Sequence, residues 1–187
     1  MSINQEKTKA ISLIKKEYID LLLNPIQNIQ YTINLGDDDN LFEWKLQFIG
    51  PKDTPYEGGL FLVKIKFPED YPSNSPIPTF ITPIYHPDVN KRKLGMEDFD
   101  LLGYIPITKI MFWDPTKRKI SEIIQEINDL FYNATCEHPY GIEFSHEYRN
   151  NKELFDKKAK YFTQKYANPV KSHNVYEDKD WDFSYPE

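Results

Sequence analysis

A chain of 187 residues, 40% hydrophobic and 28% charged, has room for one domain with a real hydrophobic core and little beyond it. Its formal net charge of -6 speaks against a nucleic-acid binder that relies on a broad positive field. One cysteine, Cys136, excludes an internal disulfide framework and a cysteine-rich zinc site, and no apolar run approaches the roughly 20 residues of a membrane span. The opening Met1-Ser2-Ile3-Asn4-Gln5-Glu6-Lys7 has neither an apolar core nor an arginine, so no signal or transit peptide is expected. The expected location is the cytoplasm, with the nucleus or the cytoskeleton as variants.

Residues 5–23 read as a helix, because Ile11, Ile14, Tyr18, Leu21 and Leu22 recur at helical spacing and Pro25 stops it. A first strand is expected near 28–34, then a turn at Gly36-Asp37-Asp38-Asp39-Asn40, then a second strand near 41–49. In that second strand Phe42, Trp44, Leu46 and Phe48 alternate with Glu43, Lys45 and Gln47, the period of a strand with one buried face. A turn-rich link, Gly50 to Gly59, leads to a third strand in which Phe61, Val63, Ile65 and Phe67 alternate. Three prolines, Pro76, Pro78 and Pro83, permit at most a short edge strand over 73–83. Residues 120–131 form the clearest helix, with Ile120, Ile123, Ile124, Ile127, Leu130 and Phe131 as a continuous apolar stripe. A final helix is expected near 151–166, with Leu154, Phe155, Ala159, Phe162 and Tyr166 inward. Residues 1–169 read as one core domain and 170–187 as a tail.

Gly50-Pro51, Thr54-Pro55-Tyr56-Glu57-Gly58-Gly59, Phe67-Pro68, Asp70-Tyr71-Pro72, Pro76, Phe80 and Tyr85-His86-Pro87 follow one another in a fixed order. That set, with the closing Thr163-Gln164-Lys165-Tyr166-Ala167, resembles the ubiquitin-conjugating enzymes over about residues 8–168. The resemblance implies an α+β fold: an N-terminal helix, a four-stranded antiparallel meander, then C-terminal helices. It also implies a reaction in which a cysteine thiolate accepts ubiquitin as a thioester and a substrate lysine or ligase cysteine removes it.

The reactive positions of that family fall on residues of another kind. Its cysteine aligns with Pro106 counted forward from Gly103, or with Ile105 counted back from Trp113; neither side chain forms a thioester. Its His-Pro-Asn reads His86-Pro87-Asp88, replacing an amide donor by a carboxylate that donates nothing and adds negative charge. Its acidic residue after the long helix aligns with His138, before Pro139. In the family the histidine aligned with His86 is mainly a structural hydrogen-bonding residue. The catalytic set is therefore expected to be empty, a degenerate site at His86, Pro87, Asp88, Pro106 and His138, with no cofactor and no metal.

The loop from Val89 to Leu102 is longer than in typical relatives and reads either as a tolerated surface insertion or as a docking element covering the old active site. Its Met96 and Phe99 are candidate partner contacts, whereas Glu97, Asp98 and Asp100, without His or Cys nearby, do not make a metal site. Cys136 beside His138 lies after the long helix rather than on the active-site strand, and is read as a bystander. The family's ligase-facing aromatic is Ser73 here, and its Ser-Pro-Ala is Asp114-Pro115-Thr116, so standard ligase binding is not expected. The resemblance implies basic residues on the first helix that meet activating enzyme and ligases; Lys15 and Lys16 are read either so or, in preference, as a solvated face.

From Pro169 on, two lysines stand against five acids, together with Tyr176, Trp181, Phe183 and Tyr185. Solvated tails are poor in aromatics, so Trp181, Phe183 and Tyr185 are candidates for docking, on a partner or back on the chain's own domain. The functional expectation is a catalytically inactive, non-catalytic binding or scaffold subunit of a larger assembly. Two alternatives stand beside it: a ubiquitin-binding partner that orients acceptor ubiquitin for an active conjugating enzyme, and an active enzyme with atypical chemistry. Within the resemblance, pairing variants typically lack the last two helices. The final helix expected here favours the scaffold form.

Overall fold

The computed structural model describes residues 3–91, 102–106, 108–117, 119–136, 142–169 and 181–186. Met96, Phe99 and His138 lie outside these residues, as does most of the Val89–Leu102 loop. The described elements are α1 (Ile3–Leu23), β1 (Tyr31–Leu35), β2 (Glu43–Ile49), β3 (Leu60–Lys66), β4 (Ile77–Phe80), α2 (Thr108–Met111), α3 (Ile120–Leu130), α4 (Ile142–Asn150) and α5 (Lys152–Tyr166). The four strands form one antiparallel sheet in the order β1-β2-β3-β4. The expected α+β fold, helix then four-stranded meander then helices, is the fold observed.

The period-two pattern sets the register. Trp44 pairs with Ile65, Leu46 with Val63 and Phe48 with Phe61, all buried, so one face of β2 and β3 is wholly apolar. α1 covers it with Ala10, Ile14 and Leu21, and the Tyr18 ring meets Trp44 edge-on at 5.4 Å. Leu22, expected inward, is 53% exposed, because one residue past Leu21 the helix has already turned about 100° away from the sheet. The stripe of α3 is buried as expected from Ile120 to Leu130. Just beyond it, Phe131 packs against Phe48, Phe61, Phe80 and Tyr56 with centroids 5.1–6.1 Å away. Each such fully buried large side chain contributes on the order of 1.5–3 kcal/mol.

The first strand starts three residues later than expected, at Tyr31, because Asn28 takes a left-handed turn with φ of 65°. β4 is four residues long and includes Pro78, which a proline tolerates only at a sheet margin. α4 was not foreseen. Its nine residues have a weak apolar pattern, with only Phe144 and Ser145 buried. α5 begins where Asn151 accepts a capping hydrogen bond from the Leu154 N–H at 3.2 Å.

Candidate functional site

The segment expected to carry the reactive residue, Leu102 to Pro106, lies along the outer edge of β4. The Phe80 N–H donates to the Gly103 carbonyl at 2.8 Å, and the Ile105 N–H to the Pro78 carbonyl at 3.3 Å. On its other side, Gly103 N–H donates to the Asn90 carbonyl at 2.6 Å and Asn90 N–H to the Tyr104 carbonyl at 3.0 Å. The segment is thus laced between the sheet and the residues following His86-Pro87-Asp88. Gly103 has φ of +77°, and a Cβ there would stand 2.0 Å from the Phe80 carbonyl oxygen, so this position requires glycine. Ile105 is fully buried and Pro106 is buried. None of the five residues carries a thiol, an amine or an alkyl hydroxyl.

His86 is 2% exposed. Its Nε2 lies 2.9 Å from the Leu130 carbonyl, and its Nδ1 accepts the Asp88 N–H at 3.1 Å. A carbonyl only accepts and an amide N–H only donates, so both contacts fit one species, the neutral ring protonated on Nε2. Burial lowers its pKa below the ordinary histidine value, against an opposing pull from the Asp88 carboxylate and the Leu130 carbonyl. The imidazole ties the motif to the end of α3, the structural role that the resemblance implied.

Asp88 is also buried, and both carboxylate oxygens accept from Thr135: Oδ2 from the backbone N–H at 2.6 Å, Oδ1 from the hydroxyl at 3.0 Å. The carboxylate therefore fastens the segment after α3 to the motif. Sequence reasoning missed Thr135, which lies 47 positions away and has no local signal. It also missed Asn90, whose backbone joins the motif to Gly103 and Tyr104.

The Asp88–Thr135 contact brings Cys136 to the motif, closer than its place in the sequence suggests. Cys136 is only 8% exposed as a residue, and its pKa is pushed up, by burial first and then by the negative charge of Asp88. A raised thiol pKa leaves less thiolate, the reverse of what activates a nucleophile. The Cys136 carbonyl accepts from the Arg149 guanidinium at 2.8 Å, which ties this corner to α4.

Behind the motif, Tyr85 lies in an aromatic cluster with Phe144, Phe155 and Phe162 at 4.0, 5.3 and 5.2 Å. Its hydroxyl donates to Glu147 at 2.7 Å, and Glu147 also pairs with Lys158 at 2.6 Å. Lys91, the first residue of the long loop beyond Asn90, pairs with Glu143 and sits 4.0 Å from the centre of the Phe144 ring.

Residues 181–186 also reach this cluster, docked on the chain's own helices. They form no strand, yet Phe183 meets Tyr85, Phe144 and Phe162 edge-on at 5.6, 5.5 and 5.0 Å. Tyr185 lies 5.3 Å from Tyr161, and Trp181 lies 5.9 Å from Phe183. Among the described residues no group of His, Cys, Asp and Glu side chains could hold a metal ion, and no helix is long and apolar enough to cross a membrane.

A family model described as "Ubiquitin-conjugating enzyme" matches residues 13–163. The chain is 35% identical over 156 residues to "Ubiquitin-conjugating enzyme E2 14" of Schizosaccharomyces pombe, covering 82% of this chain and 92% of that protein.

Proposed function

The chain belongs to the ubiquitin-conjugating enzyme family, and from that premise we propose that it is a member without the conjugating reaction, a non-catalytic binding or scaffold subunit of a larger protein assembly. One observation supports this reading: the segment lying against β4, onto which the sequence resemblance puts the family's cysteine, offers a buried Ile105 and a buried Pro106. Pro106 has no nucleophile and no backbone N–H. The polar groups of the His86-Pro87-Asp88 motif are engaged in holding the fold, His86 on Leu130 and Asp88 on Thr135. In this reading residues 1–169 are the working body, 170–187 its tail, and the protein acts in the cytoplasm or nucleus through protein partners.

The test is incubation of the intact protein with activating enzyme, ATP and ubiquitin, followed by non-reducing electrophoresis. No reductant-sensitive ubiquitin adduct is expected. Such an adduct, lost in Cys136→Ser, would overturn the reading and assign atypical chemistry to the one thiol, which the Asp88–Thr135 contact brings to the motif. Titration with isotope-labelled ubiquitin addresses the acceptor-orienting alternative, which predicts saturable amide shifts where a pure scaffold gives none.

A further inference from the structure

We propose that the aromatic cleft between α4 and α5 is a docking site for a partner peptide that alternates aromatic side chains with a carboxylate, and that residues 181–185 are its resident occupant, displaced when the partner binds. This deepens the binding-subunit reading by naming a surface and the chemistry it takes.

The floor of the cleft is Tyr85, Phe144, Phe162 and Tyr166. Phe183 stands on it with its plane steeply inclined to all four rings, at centroid distances of 5.0–6.2 Å and interplanar angles of 75–90°. Edge-to-face geometry of this kind is specific for an aromatic guest. Two lysines stand at the rim, Lys165 paired with the tail and Lys158 shared with Glu147. Lys165 reaches the Asp182 carboxylate at 3.0 Å, and the Lys158 ammonium lies 5.8 Å from the centre of the Tyr185 ring. The Tyr166 hydroxyl donates to the Asp182 carbonyl. The aromatic floor with Lys165 beside it fits an acid flanked by aromatics.

The occupant is built as a ligand. None of residues 181–186 is buried, and no strand ladder ties them to the body. Their shape is set from within: the Ser184 N–H and hydroxyl both donate to Asp182 Oδ1, at 2.9 and 2.6 Å. That turn travels with the peptide, so another chain with the same local chemistry presents the same face. When the tail leaves, it uncovers the apolar rings of Phe144, Phe162 and Tyr166 as one patch, a surface that favours re-occupation.

The test uses the full chain with a protease recognition sequence placed within residues 170–180 and cut in the folded protein. The probe is a fluorescein-labelled peptide of residues 180–187, followed by anisotropy. Saturable binding to the cut chain is expected, weaker by about tenfold or more in the uncut chain, where the tethered tail competes. Lys165→Glu should weaken it similarly, and Asp182→Lys in the peptide should restore binding to that variant. Four results overturn the proposal: no binding to the cut chain, equal binding to cut and uncut chains, loss of the circular dichroism signal once the tail departs, or a concentration-dependent dimer of the uncut chain, which would make a second copy the occupant. None of these readouts depends on whether the protein carries ubiquitin, so they fail or succeed apart from the adduct assay.

Discussion

At the scale of the residue, His86 shows how a side chain from a reactive motif serves the fold. Its two ring contacts are compatible with the neutral form alone, and burial lowers its pKa. The unfolded chain therefore binds a proton on His86 more readily than the folded one. The stability this neutral ring contributes is complete above the ordinary value of about 6.5 and is lost as pH falls through the lowered folded value. Between the two values the loss approaches about 1.4 kcal/mol per pH unit. His86→Gln keeps a donor and an acceptor without a titration, so urea midpoints measured from pH 7.5 to 5 should fall more steeply for the natural protein than for this variant. Gly103 gives a second expectation. With φ of +77° and the Phe80 carbonyl in the way of a Cβ, Gly103→Ala should cost about 1–3 kcal/mol or more in chemical denaturation. The structural role of His86 was legible from the motif. That of Asp88 was not: a carboxylate in place of an amide reads as a charge added to the cleft, and the Thr135 donors that satisfy it come from a distant segment.

At the scale of the element, the strands were legible because one buried and one wet face forces the period of two, and α3 because six apolar positions fall on one side. α4 was not, because its burial rests on a couple of side chains and its place depends on Tyr85, Lys91 and the Cys136 carbonyl, which lie outside its own span. The start of α3 depends on another helix in the same way. Its N-cap residue, Lys119, provides no capping side chain. Glu17 of α1 accepts the Ile120 N–H at 3.0 Å and the Tyr71 hydroxyl at 2.9 Å. Burial raises the Glu17 pKa, and the two donors pull against that rise. Glu17→Ala leaves both donors without this acceptor and should lower stability by about 1–3 kcal/mol. Amide exchange should show the first turn of α3 loosening more than the middle of the sheet.

At the scale of the whole molecule, two late parts of the chain pack beside the motif, the segment that carries Thr135 and Cys136 against Asp88 and residues 181–186 against Tyr85. Cys136 then reports on the integrity of that assembly. Its thiol is buried, with its pKa raised by burial and by Asp88. A disulfide reagent at pH 8 should modify it at least about tenfold more slowly in the native protein than in the denatured chain. His86→Gln should leave that protection largely in place, whereas Asp88→Ala, which removes the carboxylate that both Thr135 donors share, should shorten it. The tail was half legible. Its aromatics announced docking, but a sequence cannot say which surface receives them until the folded helices bring Phe144, Phe162 and Tyr85 together.

The residues laid along β4 have a consequence for self-association. Phe80 and Ile105 spend their amides across that margin, and Pro78 has none to offer. A strand arriving from another molecule meets a flank whose hydrogen-bonding row is already taken. Among the described residues, β1 forms the opposite flank, where exposed Thr32 and Asn34 present hydrophilic side chains. Fibre-like stacking of this sheet is therefore blocked on one side and discouraged on the other.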